Sequence, residues 1–154
     1  LKTYQSWINK LILTINSKGT IYICGNGGSF AHAQHLTAEL VVRFKLNRNP
    51  INALCLGSNQ ANLTAIGNDF KFEDIFSRNL EALANKNDIL IAMSTSGNSQ
   101  NVIKALKLAK EMHIYSFALT GNDGGIVKSI SDEVFVVQSD VVSKNKEIHL
   151  IFLH

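Results

Sequence analysis

Five short apolar runs, separated by segments with helical spacing, constrain the fold of this chain more than any other feature. They cover residues 20–24, 51–56, 88–93, 114–119 and 133–137. Runs that are largely apolar, rather than alternating, mark strands buried on both faces, and strands alternating with helices imply βαβ units. The expected fold is therefore α/β: a three-layer sandwich in which a five-stranded parallel sheet is flanked by helices. Helical spacing falls at about 3–17, 29–45, a short segment ending near Gly67, 72–84, 99–112 and 141–154. The first of these aligns Tyr4, Trp7, Ile8, Leu11 and Ile15 and stops at Gly19, giving an apolar face that can pack on its own sheet or on another subunit.

A length of 154 residues suits one domain, 1–154, and either chain end can be a trimmed one. With 45% hydrophobic and 18% charged residues the composition is that of a globular protein. No apolar run approaches the roughly 20 residues that span a bilayer, so no membrane partner is expected. The net charge of +3 comes with scattered lysines and no dense basic block. That pattern does not indicate nucleic acid but suits small anionic substrates. Cys24 and Cys55 lie in apolar runs without metal-type spacing, as buried free thiols do, and a reducing cytoplasm is the expected compartment.

Ligands of open parallel sheets bind at the carboxyl ends of the strands. Three loops lie there: Gly25-Asn26-Gly27-Gly28-Ser29, Ser94-Thr95-Ser96-Gly97-Asn98-Ser99, and Thr120 to Gly125. The second puts three serines and a threonine where a strand turns into a helix, a place with unpaired N–H groups and the positive end of a helix dipole. A phosphate monoester fits it. No P-loop lysine is present, which favours a sugar phosphate over ATP; an ordinary serine-rich N-cap is the competing reading. The glycines of the first loop allow close backbone approach to a ligand.

His35 and Glu39, four apart on the helix after the first loop, point to one face. They can supply half of a zinc site or a general base, or form a surface pair. On the last helix Lys146 and His154 are a little over two turns apart and can share a side, with His149 displaced from it. His32 reads as a surface residue, His113 as a helix-end cap, and Arg43 and Arg78 as ion-pair or interface residues. Asp69 can orient a substrate hydroxyl or cap the helix that follows.

Together CGNGGSFAHAQHLTAEL, AIGNDFKFEDIFSRNLEAL, STSGNSQNVIKAL, LTGNDGG and EIHLIFLH resemble the phosphoheptose isomerases, from about Ile21 to His154. These are SIS (sugar isomerase) domain enzymes with a flavodoxin-like or Rossmann-like fold. They convert sedoheptulose 7-phosphate to D-glycero-D-manno-heptose 7-phosphate for surface glycans such as lipopolysaccharide or capsule. STSGNS marks only the SIS class; GNDFxFxDIFSR with HxxxE after GNGGS is more specific. The resemblance implies substrate contacts from Asn26, Gly27, Gly28, Ser29, Asn68, Asp69, Ser94, Thr95, Ser96 and Ser99. It implies zinc ligation by His35, Glu39 and His154, with Glu39 and His154 also the acid/base pair. A cytoplasmic homotetramer with sites at subunit interfaces is implied too. One position departs: Lys146 stands where the family usually has a glutamine that contacts metal and substrate. An ammonium there repels a divalent cation, or takes its place beside the substrate. A non-catalytic SIS module, either a sugar-phosphate sensor or a scaffold, is the alternative that this departure favours.

Overall fold

A computed structural model describes residues 2–154, with side chains from Tyr4 onward. In chain order the elements are α1 (Lys2–Asn16), β1 (Ile21–Gly25), α2 (Gly28–Val41), β2 (Ala53–Cys55), α3 (Gln60–Asp69), α4 (Ile75–Leu83), β3 (Ile89–Ser94), α5 (Gln100–Glu111), β4 (Tyr115–Gly121), α6 (Val127–Ile130), β5 (Glu133–Val137) and α7 (Val142–Leu153). A 3₁₀ turn over Phe72–Asp74 leads into α4. Every strand pair is parallel and the order is β2-β1-β3-β4-β5, so the expected sheet is present.

Alternate residues of each strand feed two cores, which makes the three layers. Ile21, Ile23, Ile89, Ile91, Met93, Phe117 and Leu119 pack with Trp7, Ala33 and Leu36 beneath α1, α2 and α7. Tyr22, Cys24, Leu90, Ala92 and Ala118 pack on the other face with Phe76, Leu80, Val102, Leu106 and Val127. Trp7 is buried on its own sheet, stacked 4.3 Å from Phe117 and 5.0 Å from Phe152. Outside that contact Ile12 and Leu13 of α1 stay exposed. No helix is long and apolar enough to cross a membrane among the described residues.

The strand order reverses between β1 and β3. The chain leaves β1 toward the first core and β3 toward the second, opening a crevice at their carboxyl ends. Apolar spacing alone carries the second helix to about residue 45, but α2 stops at Val41. Arg48 folds back and donates to Glu39 O and Leu40 O at 2.7 Å each. Its cation satisfies the orphan carbonyls of the helix end, and Asn49, preceding Pro50, is biased toward extended backbone.

Candidate active site

Strand β1 delivers the first loop into the crevice. Gly27 takes φ +56°, which glycine adopts without strain, with open space where a side chain would stand. Ser29 is buried and its N–H closes the turn onto Asn26 O at 3.0 Å. The Asn26 side chain pairs amide to amide with buried Asn101 on α5, both bonds 2.8 Å. Asn101 also accepts from its own helix at Val102 N. This pair ties the first loop to the start of α5, a role that nothing in the spacing of Asn101 announces.

Strand β3 delivers the serine-rich loop. Ser94 Oγ donates to Ser99 Oγ at 3.0 Å, and Asn98 N donates to Ser96 Oγ at 3.2 Å. Ser96 is exposed and Thr95 half-buried at the start of the twelve-residue α5, so hydroxyls and a helix N-terminus share one concavity. The third loop braces it rather than lining it. Gly121 N donates to Thr95 O, Val127 N to Gly97 O and Ile126 N to Asn98 Oδ1. Gly97, at φ +67°, lies so close to Gly124 that a methyl group there would sit 2.1 Å from the Gly124 carbonyl oxygen. On its other side Gly121 is covered by buried Asn145 of α7, whose amide donates to Ser139 O.

Helices α2 and α7 run side by side and bring together the residues singled out on each. His35 Nε2 lies 3.2 Å from Glu39 Oε1, His154 Nε2 lies 3.4 Å from Glu39 Oε2, and the two Nε2 atoms are 3.3 Å apart. These three form the one His/Cys/Asp/Glu group among the described residues whose donor atoms converge as metal ligands do. A zinc–ligand length of about 2.0–2.2 Å in a tetrahedron gives donor separations of about 3.3–3.6 Å; the two imidazole nitrogens meet that spacing and each faces its own Glu39 oxygen at a similar distance, so the triad fits the ion in donor type and close to it in spacing. A single proton between two facing imidazole nitrogens satisfies one of the three contacts, whereas a cation among them satisfies all three. Phe44 stacks on His154 at 4.9 Å and shields one side.

Two turns before the triad, the Lys146 side chain lies along Gly28, its Nζ 2.9 Å from where a Gly28 Cβ would be. A lysine at a helix start adds positive charge to the positive end of a dipole. Lys146 makes no salt bridge among the described residues.

His149 is fully buried, with Nε2 2.9 Å from Thr120 O. Burial holds its pKa down, the Thr120 contact opposes this, and His32 adds to the lowering. An unfolded chain takes up this proton as pH falls below about 6.5, and the folded chain does so only further down. His149 therefore costs stability in the window below that value, and a His149→Phe variant is expected to lose less stability than the parent between pH 7 and 5 in denaturant titrations. Parallel pH profiles would show that His149 does not titrate differently in the two states. His32 is half-buried rather than a surface residue. Its pKa is lowered by burial and then by His35, Lys146 and His154.

Other candidates lie elsewhere. Asn68 donates to Asp69 Oδ1 at 2.8 Å at the end of α3, in the layer opposite the triad, and Lys71 rather than Asp69 precedes the 3₁₀ turn as its cap. Asp69 instead lines a surface hollow with Asn62, Arg78 and Asn79. Arg78 covers the Phe70 ring at 3.8 Å and Arg43 bonds Asn47, so neither is in an ion pair within the described chain. His113 is exposed at φ +57°, the left-handed residue that ends α5. Cys24 and Cys55 are buried and unpaired, the Cys55 thiol pushed up to about 12 by burial and that of Cys24 raised further, so neither serves as a nucleophile.

The SIS domain family matches residues 5–121. A phosphoheptose isomerase from Helicobacter pylori is 46% identical over 147 residues, spanning 96% of this chain and 77% of its own. The solved phosphoheptose isomerase of Neisseria gonorrhoeae superposes with a TM-score of 0.93 at 35% identity, over 100% of this chain and 82% of the other. That of Francisella tularensis gives 0.95 at 32% identity, over 99% and 82%.

Proposed function

We propose, from the premise that this chain belongs to the phosphoheptose isomerases of the SIS domain family, that it isomerises sedoheptulose 7-phosphate to D-glycero-D-manno-heptose 7-phosphate. The product would enter heptose synthesis for surface glycans. The observation that carries this reading is the convergence of His35, Glu39 and His154 beside the first loop. A sensor or scaffold has no need of that cluster, so the non-catalytic alternative is not favoured.

In residue terms, Ser94, Thr95, Ser96 and Ser99 hold the phosphate with their hydroxyls and the N–H groups at the start of α5. Asn26, Gly27, Gly28 and Ser29 receive the sugar at the first loop, and Lys146 places positive charge over Gly28 where an oxygen of the substrate gains negative charge. Glu39 removes the proton from the carbon beside the carbonyl and returns it to the neighbouring carbon of the enediol. His154, 3.4 Å from the Glu39 carboxylate, moves protons between the two oxygens.

Zinc is the proposed cofactor, held by His35, Glu39 and His154, and when bound it would supply Lewis-acid polarisation of the carbonyl. Lys146 leaves the site without a neutral fourth side chain. Elemental analysis of protein purified without chelator should therefore find zinc, with Lys146→Gln binding it more tightly. Two metal-free proteins that both isomerise the substrate would refute the metal's part.

The proposed assembly is a homotetramer. Asn68 and Asp69 stand in the layer opposite the triad, while Phe44 and Leu46 beside the triad and Ile12 and Leu13 on α1 are exposed apolar residues; packing of further copies would account for both. A cytoplasmic location suits the sugar-phosphate substrate and the two unpaired thiols.

A further inference from the structure

The reaction above uses the two ends of the contact between α2 and α7. Gly28 faces Lys146 at one end and His35 faces His154 at the other. Seven residues on α2 thus run alongside eight on α7, so His32 and His149 both fall between these two contacts, near enough for His32 to act on the His149 ring. Each of these histidines has a sealed Nδ1 with no hydrogen-bond partner. A buried imidazole nitrogen without a partner costs about 1–3 kcal/mol, so two this near each other need an explanation.

Hydrogen-bond polarity supplies it. Thr120 O accepts only, so His149 Nε2 carries a proton, and in the neutral ring Nδ1 is then a lone pair. The group that would satisfy this lone pair is a proton on His32 Nδ1, brought within reach by a small turn of either ring, since neither atom is bonded as the rings stand. His32 Nε2 is then itself a lone pair. It makes no hydrogen bond among the described residues and is not among the sealed atoms, and the charged or titratable groups that act on this ring are His35, Lys146 and His154. We propose that His32 is a further substrate-contacting residue, its Nε2 accepting a hydrogen bond from a hydroxyl at the reacting end of the sugar. His149 is the positioning residue that fixes its tautomer from the Thr120 carbonyl. The substrate contact rests on the isomerase reading; the tautomer does not.

The test is ¹⁵N NMR of the histidine side chains at mildly alkaline pH, with and without added zinc, joined to kinetics with sedoheptulose 7-phosphate. Expected are a proton on Nδ1 of His32 and on Nε2 of His149, with the His32 proton moving to Nε2 in His149→Phe. His32→Phe should lower kcat/KM about tenfold to a hundredfold, the worth of one buried hydrogen bond to the substrate. A parent protein with the His32 proton on Nε2 overturns the proposal even if the His149 variant does not fold. The expected tautomer with an unchanged kcat/KM in His32→Phe overturns the substrate contact. A parent protein that binds but does not convert the sugar refutes the isomerase reading and the contact with it, while the tautomer result stands by itself.

Discussion

Replacing Glu39 with glutamine is expected to lower turnover of sedoheptulose 7-phosphate by about 10²–10⁴-fold, the usual worth of a general base. Glutamine keeps the size and a carbonyl oxygen but cannot take up the proton from carbon. The loss should fall on kcat, because the serine-rich loop proposed to hold the phosphate is built from β3 and α5 and does not involve Glu39. Sugar-phosphate binding, measured by calorimetry, should therefore survive. Because Glu39 also stands between His35 and His154, the variant should bind zinc more weakly as well, and metal content must be measured beside the rate. Near-normal turnover would remove Glu39 from its role.

The second large effect is expected at Gly97, where Gly97→Ala meets two penalties at once. Its φ of +67° lies in the left-handed region, which costs an L-residue about 1–2 kcal/mol. Its new methyl would stand 2.1 Å from the Gly124 carbonyl oxygen, and forcing these two loops apart adds about 1–3 kcal/mol. Relief of that clash must move either the serine-rich loop or the loop that braces it through the Val127 N–H to Gly97 O bond. The expected result is a melting temperature lower by about 5–15 °C, together with loss of at least about tenfold in affinity for the sugar phosphate, or about 1.4 kcal/mol. Unchanged affinity in a folded variant would mean that the loop does not hold the phosphate.

The strands and the carboxyl-edge loops were legible in the sequence because their signals are local. A run such as Ile89 to Met93 has no polar residue to turn toward water, and STSGNS directly follows it. The end of α2 was not legible. It depends on Arg48, which comes from beyond the helix and reaches its carbonyls only after the chain has turned. The His35–Glu39 pair was visible as an i,i+4 spacing, but a surface pair and a metal site share that spacing. The arrival of His154 from another helix supplies a third converging donor, which the spacing on one helix does not announce. His32 looks exposed in the sequence because a single sequence does not reveal that the Nδ1 edge of its ring is sealed. LTGNDGG was visible as a glycine-rich loop at the right edge of the sheet; that it supports the serine loop from behind emerges only from the contact of Gly97 with Gly124 and Gly125. Lys146 was the departure that raised the non-catalytic alternative. Its place along Gly28, with no carboxylate partner among the described residues, is what its proposed role at the substrate rests on.

The triad is proposed to perform isomerisation and not merely to mark a binding site. Incubation with sedoheptulose 7-phosphate in heavy water, followed by NMR of the sugar, tests it most directly. Expected is appearance of the aldose heptose 7-phosphate with deuterium on the carbon next to the carbonyl, with both signals lost in Glu39→Gln. Binding of the ketose phosphate with neither conversion nor exchange would contradict it.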